Sequence, residues 1–117
     1  LSAIAILSLF MMQGCYYDNE EEMYPSVPCD TANVTYSNTI APIMADRCNT
    51  CHSQASPSGQ VVTENYNGLK VVATDGRLQG SVNHLSGYSA MPQGGAKLSA
   101  CNLKKIDIWI RKGSQDN

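Results

Sequence analysis

Apolar positions along this chain fall into four groups separated by polar stretches, and the spacing inside each group differs. The first, Leu1 to Met12, is apolar with no charged residue and is too short to span a bilayer. An acidic, proline-containing stretch follows, "YYDNEEEMYPSVP" from Tyr16 to Pro28; it cannot bury enough apolar area to offset chain entropy and reads as a tether. The second group, Tyr36, Ile40 and Ile43, is spaced i, i+4, i+7 and predicts a helix with one apolar face running toward residue 48. Pro42 inside that pattern either kinks the helix or marks an early turn, and Met44 is expected to pack in the core. The third group, Tyr66, Leu69 and Val72, predicts a helix over Tyr66 to Ala73.

The fourth group, Leu103, Ile106 and Ile110 with Trp109 alongside, carries the fullest set of helix signals. Ser99 can cap the first turn, Leu98 can staple onto Leu103, and Gly113 after basic Arg111 and Lys112 supplies a stop. Between the helices, "SQASPSGQVVTEN" reads as a loop with a short extended piece at Val61 to Thr63. "TDGRLQGSVNHLSGYSAMPQGG" has glycine at 76, 80, 87, 94 and 95 and is expected to be mostly irregular backbone that wraps a ligand. Gly94, Gly95 and Lys97 do not form a phosphate loop, because Leu98 stands where Ser or Thr is needed. No internal repeat appears. The expectation is an all-α fold in which Ile40, Ile43, Leu69, Leu78, Leu98, Leu103, Ile106 and Ile110 form the apolar shell around that ligand.

A length of 117 residues leaves room for one domain, placed at residues 29–113 with 114–117 as a C-terminal tail. A formal net charge of −2 argues against a nucleic-acid partner, since phosphate binding rests on clustered Lys and Arg. Lys104, Lys105, Arg111 and Lys112 gather near the C-terminus; they form either a solvated helix face whose cations complement the helix dipole or a docking patch for an acidic redox partner.

The start of the chain changes the picture of where the domain works. The apolar run ends in Gly14 before Cys15, which resembles the cleavage site of a bacterial lipoprotein. That resemblance makes 1–14 a signal peptide, Cys15 the lipidated residue and 15–28 the tether, with the domain outside the cytoplasm and anchored to a membrane through lipid. The acidic residues after Cys15 also resemble the surface-export signals of lipoproteins in the Bacteroidetes. Ordinary cleavage that leaves Cys15 as a thiol is the alternative, followed by an uncleaved anchor helix.

The chain has five cysteines and two histidines. "ADRCNTCHSQ" places Cys48, Cys51 and His52 within five positions, and three chemistries compete for them. A structural zinc ion needs four ligands, and adjacent Cys51 and His52 diverge. A redox dithiol wants a βαβ context that is missing here. A haem uses all three residues, the two thiols adding to its vinyl groups and the adjacent imidazole ligating iron. If Cys15 carries lipid and Cys48 with Cys51 go to a cofactor, Cys29 and Cys101 remain as a disulfide pair, which an oxidising compartment allows to persist. Free buried thiols are the alternative for that pair.

A haem held by His52 has a sixth position. Met91, stiffened by Pro92 and set in the glycine-rich wrap, is the leading candidate, and a thioether there raises the reduction potential. His84 competes for the same place; its other expected roles are a hydrogen bond near the haem edge or a surface position. Met91 as a simple packing residue is also open.

"YSNTIAPIMADRCNTCHS" followed by "AMPQGGAKLSACNLKKIDIWIRKG" resembles the small monohaem c-type cytochromes, class I-like, found as bacterial lipoproteins in the Bacteroidetes. The resemblance covers about Pro28 to Gly113. It implies haem c attached at Cys48 and Cys51, His52 as proximal and Met91 as distal iron ligand, and first and last helices that cross beside the haem. The implied fold is a small all-α domain wrapped around one covalently bound haem with long Gly-rich loops. The implied function is one-electron transfer between redox partner proteins, without catalysis. The rival is a haem enzyme or gas-binding sensor with an open sixth site, for which Asp75 and His84 could form a distal pair. A disulfide-stabilised binding module with no cofactor is a third class.

Overall fold

A computed structural model describes residues 28–117; the expected signal segment, Cys15 and most of the acidic tether lie outside them. All regular elements among the described residues are helical. They are a π-helical turn (Tyr36–Ile40), α1 (Ala41–Arg47), a 3-10 turn (Ser58–Gln60), α2 (Tyr66–Thr74), α3 (Arg77–Val82) and α4 (Ala100–Arg111). The β-type pairing observed is an isolated bridge between His52 and Pro57. No helix among them is long and apolar enough to cross a membrane.

The first helical segment shows how one proline shapes its own entry. Pro42 sits within the first two positions of α1 and has no N–H to return to Asn38, so the chain enters through a wide turn in which the Ala41 N–H reaches Tyr36 O. Thr35 caps this turn, its hydroxyl accepting from the Asn38 N–H at 3.2 Å. Despite the change of pitch, Ile40, Ile43 and Met44 all end up buried, as their spacing predicts.

α2 is likewise capped by a side chain, Asn65 Oδ1 accepting from Gly68 N at 2.9 Å, and buries Leu69, Val72 and Ala73. In α4, Ser99 accepts from Asn102 N, while Ile106 and Trp109 are buried and Leu103 and Ile110 pack against the core from its edge. The end of α4 closes with paired bonds, Gly113 N to Ile110 O and Ser114 N to Trp109 O. This is the cap in which a left-handed glycine stops a helix, and Gly113 has φ +91. The predicted extended piece at Val61 to Thr63 forms no strand; its backbone instead turns back toward His52.

Two departures from the sequence reading matter. The stretch expected to be irregular after Asp75 contains α3, whose Leu78 and Val82, at i and i+4, are buried with Gly80 between them. Gly80 is required because a Cβ there would lie 2.4 Å from the Tyr88 ring, so the ring packs directly on the helix backbone. Residues 114–117, read as a tail, fold back onto the domain. Ser114 is buried, its carbonyl accepts from Tyr66 Oη at 2.9 Å, Gln115 O accepts from Trp109 Nε1 at 2.9 Å, and Asn117 O accepts from Ser37 N at 2.9 Å.

The core lies where the entry turn, α2 and α4 meet. Tyr36 stands edge-on to Tyr66 with ring centroids 5.2 Å apart and tilts over Trp109 at 6.0 Å, geometries that favour aromatic contact beyond area burial. The first and last helical segments are thereby packed together, and the Cys29 to Cys101 disulfide, with a Cα separation of 5.5 Å, ties the domain entry to the first turn of α4.

Candidate functional site

The Cys48, Cys51, His52 cluster begins where α1 runs out. The N–H groups of Cys48 and Asn49 both reach Met44 O at 2.9 Å, and Cys51 N and His52 N both reach Cys48 O, at 3.1 and 3.0 Å. The result is a tight turn whose backbone satisfies itself. Cys48 is half-buried against the core, Cys51 is exposed, and both thiols are free. Burial pushes the Cys48 thiol up to about 11, outweighing the opposing pull of Arg47. A dithiol oxidoreductase instead needs a lowered thiol.

His52 is held more firmly than either cysteine. Its Nδ1 lies 3.1 Å from Ser58 O and 3.2 Å from Val61 O. A carbonyl only accepts, so Nδ1 carries the hydrogen, and in the neutral tautomer this selects, the lone pair lies on Nε2. The loop supplying those carbonyls is itself pinned to the turn: Ser58 N donates to Cys51 O and Thr63 N to His52 O, both at 2.9 Å, and the buried Thr63 donates its hydroxyl to Asn49 Oδ1 at 2.8 Å. Fixing one ring nitrogen on a backbone carbonyl is how proteins orient a metal-ligating imidazole. Two free thiols, with an imidazole next in sequence to the second, are the residue types a c-type haem would require, and they fit that group. Among the described residues, no three His, Cys, Asp or Glu side chains gather into a ready-made metal site.

Met91 is half-buried in the loop after α3. Its N–H donates to Ser81 O and its carbonyl accepts from His84 Nε2, each at 3.0 Å. None of the observed hydrogen bonds joins this loop to the Cys48–His52 turn. His84 is exposed, with φ +54 and its Nε2 committed to Met91 O. Asp75, the other member of the conceivable distal pair, is bound to Arg77, Nε to Oδ2 at 2.8 Å, and that bond holds its carboxyl below the usual range.

No protein-family model, curated protein or solved structure matches the chain.

Of the four basic residues gathered near the C-terminus, Arg111 pairs with Asp107 at 2.8 Å, and Asp107 also accepts from Gln79 Nε2 at 3.0 Å, linking α4 to α3. Beside that link lies an open groove of about 410 Å3 whose walls include Gln79, Leu85, Lys97 and Lys104. The residues that sequence reasoning missed are Asn49 and Thr63 and the carbonyls of Ser58 and Val61. Backbone acceptors leave no mark in residue type, and the one available signal was the short distance along the chain from His52 to a loop rich in turn-formers.

Proposed function

We propose that this domain is a one-electron carrier, a cytochrome c-like fold wrapped around a haem c held by Cys48 and Cys51, with His52 and Met91 as iron ligands. The observation that carries the reading is the commitment of His52 Nδ1 to two backbone carbonyls, next to two thiols that remain free because the disulfide lies elsewhere. The chemistry supplied at such a site is a low-reorganisation Fe(III)/Fe(II) couple. The chain's own tasks would be to fix the imidazole tautomer, to supply the Met91 thioether, and to exclude water with the apolar surface contributed by α1 to α4.

The segment before residue 28 supports an extracytoplasmic position, lipid-anchored at Cys15, facing the periplasm or the outer-membrane surface. Partners would be redox proteins, and Lys97 and Lys104 at the groove beside α4 favour acidic ones. The reading is tested by producing the exported chain in a host with haem-attachment machinery, then measuring its mass under denaturing conditions and its ferric spectrum. The expected result is one haem retained covalently and a low-spin spectrum with a far-red sulfur-to-iron band. A high-spin spectrum replaces the carrier with an open-site haem enzyme or gas sensor. Colourless protein of unmodified mass sinks the haem reading.

A further inference from the structure

We infer that His84 is a positioning residue for Met91; this inference rests on the reading of Met91 as the sulfur ligand to iron. The peptide units on both sides of residue 91 are fixed to one place, the end of α3. Met91 N–H donates to Ser81 O at 3.0 Å, in the last turn of the helix, and Met91 O accepts from His84 Nε2 at 3.0 Å. His84 N–H returns to the same Ser81 carbonyl at 3.1 Å. Ser81, His84 and Met91 therefore form a closed clasp.

That clasp transmits the position of a packed element. α3 is anchored in the core by Leu78 and Val82, whereas the segment downstream of Pro92, from Gln93 to Lys97, is exposed and contains Gly94 and Gly95. The hold on Met91 thus comes from the α3 side. His84 adopts φ +54, a left-handed conformation unfavourable for a residue with a Cβ and kept where the surroundings determine it. Among the described residues its exposed ring makes no ion pair, and its side chain's one hydrogen bond there is to Met91 O. Removing that donor leaves the core intact and lets residue 91 sample positions in which its sulfur is withdrawn. An external ligand for the iron then competes better, in proportion to that population.

The test uses the full chain with its haem attached and imidazole as the competing ligand, titrated into ferric protein while the far-red band is followed. His84→Gly keeps the positive φ without strain and removes the donor; His84→Gln restores an N–H at similar reach. Loss of one such hydrogen bond is expected to raise the apparent imidazole affinity of His84→Gly about tenfold. Its far-UV thermal transition should stay at the wild-type temperature, and His84→Gln should return toward wild-type affinity. The inference is overturned if His84→Gly binds imidazole as the wild type does, if both variants shift equally, or if tighter binding is matched by a proportionate loss of global stability. Absence of the far-red band in the wild type removes Met91 as ligand and this inference with it; a normal band with an indifferent His84→Gly removes this inference alone.

Discussion

The loop that holds His52 and the loop that holds Met91 are built to different standards. The first returns to its own starting turn through a ladder of bonds, Ser58 to Cys51, Thr63 to His52 and Thr63 to Asn49, and the His52 ring is fixed inside that ladder. The second hangs from the last turn of one short helix by the clasp at Ser81 and His84 and by the Tyr88 ring lying on Gly80. The contrast teaches that the two sides of the proposed haem would be organised unequally. The imidazole side is set within a tight local unit, and the sulfur side depends on a helix that the core must first hold in place.

Several changes would break or sharpen this contrast. The largest effect is expected from Cys48→Ala with Cys51→Ala, which should abolish covalent haem retention in a denaturing mass measurement; retained mass would mean that the attachment lies elsewhere. Met91→Ala should keep the covalent haem and the helical far-UV signal while losing the far-red band, and a surviving band would pass the sulfur role to another residue. Cys29→Ser with Cys101→Ser removes a cross-link spanning 72 positions that touches neither loop. It should cost about 2–5 kcal/mol of stability in denaturant titration with an unaltered spectrum, so a spectral change would show that the disulfide shapes the site. Thr63→Val leaves Asn49 Oδ1 without its partner and should cost about 1–2 kcal/mol. Its consequences belong to the His52 side: if it loosens the sulfur ligand as much as the imidazole, the two loops are not independent. Smallest is Ser99→Ala, which deletes the α4 cap for about 1 kcal/mol and should leave every spectroscopic feature in place.

How much of this was legible in the sequence follows the same division. Helices α2 and α4 are visible because their buried residues recur at helical spacing and, in α4, because the cap is a side chain, Ser99, that the sequence displays; the Asn65 cap of α2 went unread. The Cys48–His52 cluster was legible as a motif, while the bonds that orient His52 were not, since carbonyls of Ser58 and Val61 exist whatever the side chain. α3 was hidden by its glycine: Leu78 and Val82 carry a helical pattern of two residues only, and Gly80, which lowers helix propensity, is there to admit Tyr88. The return of residues 114–117 was hidden for a different reason. Its contacts run from Tyr66, Trp109 and Ser37 to main-chain oxygens, so "SQDN" retains the composition of a solvated end, with Gln115 to Asn117 exposed, while its backbone is bound to the domain. The expected helix running toward residue 48 keeps its apolar face, and the kink or early turn expected at Pro42 takes the form of a wide turn just before it, because Pro42 has no N–H to return to Asn38.

The disulfide has a consequence for how such a molecule is made. Its loop encloses Cys48, Cys51 and His52 as well as Met91, so one sulfur pair must be oxidised while another, inside the ring thus formed, stays reduced. The two populations differ in setting: Cys29 and Cys101 are brought face to face by the packing of α4 against the domain entry, whereas Cys48 leans into the core and Cys51 looks outward. Folding itself therefore sorts the thiols of the domain, and an oxidant that acts before α4 has docked meets Cys29, Cys48, Cys51 and Cys101 with no such instruction.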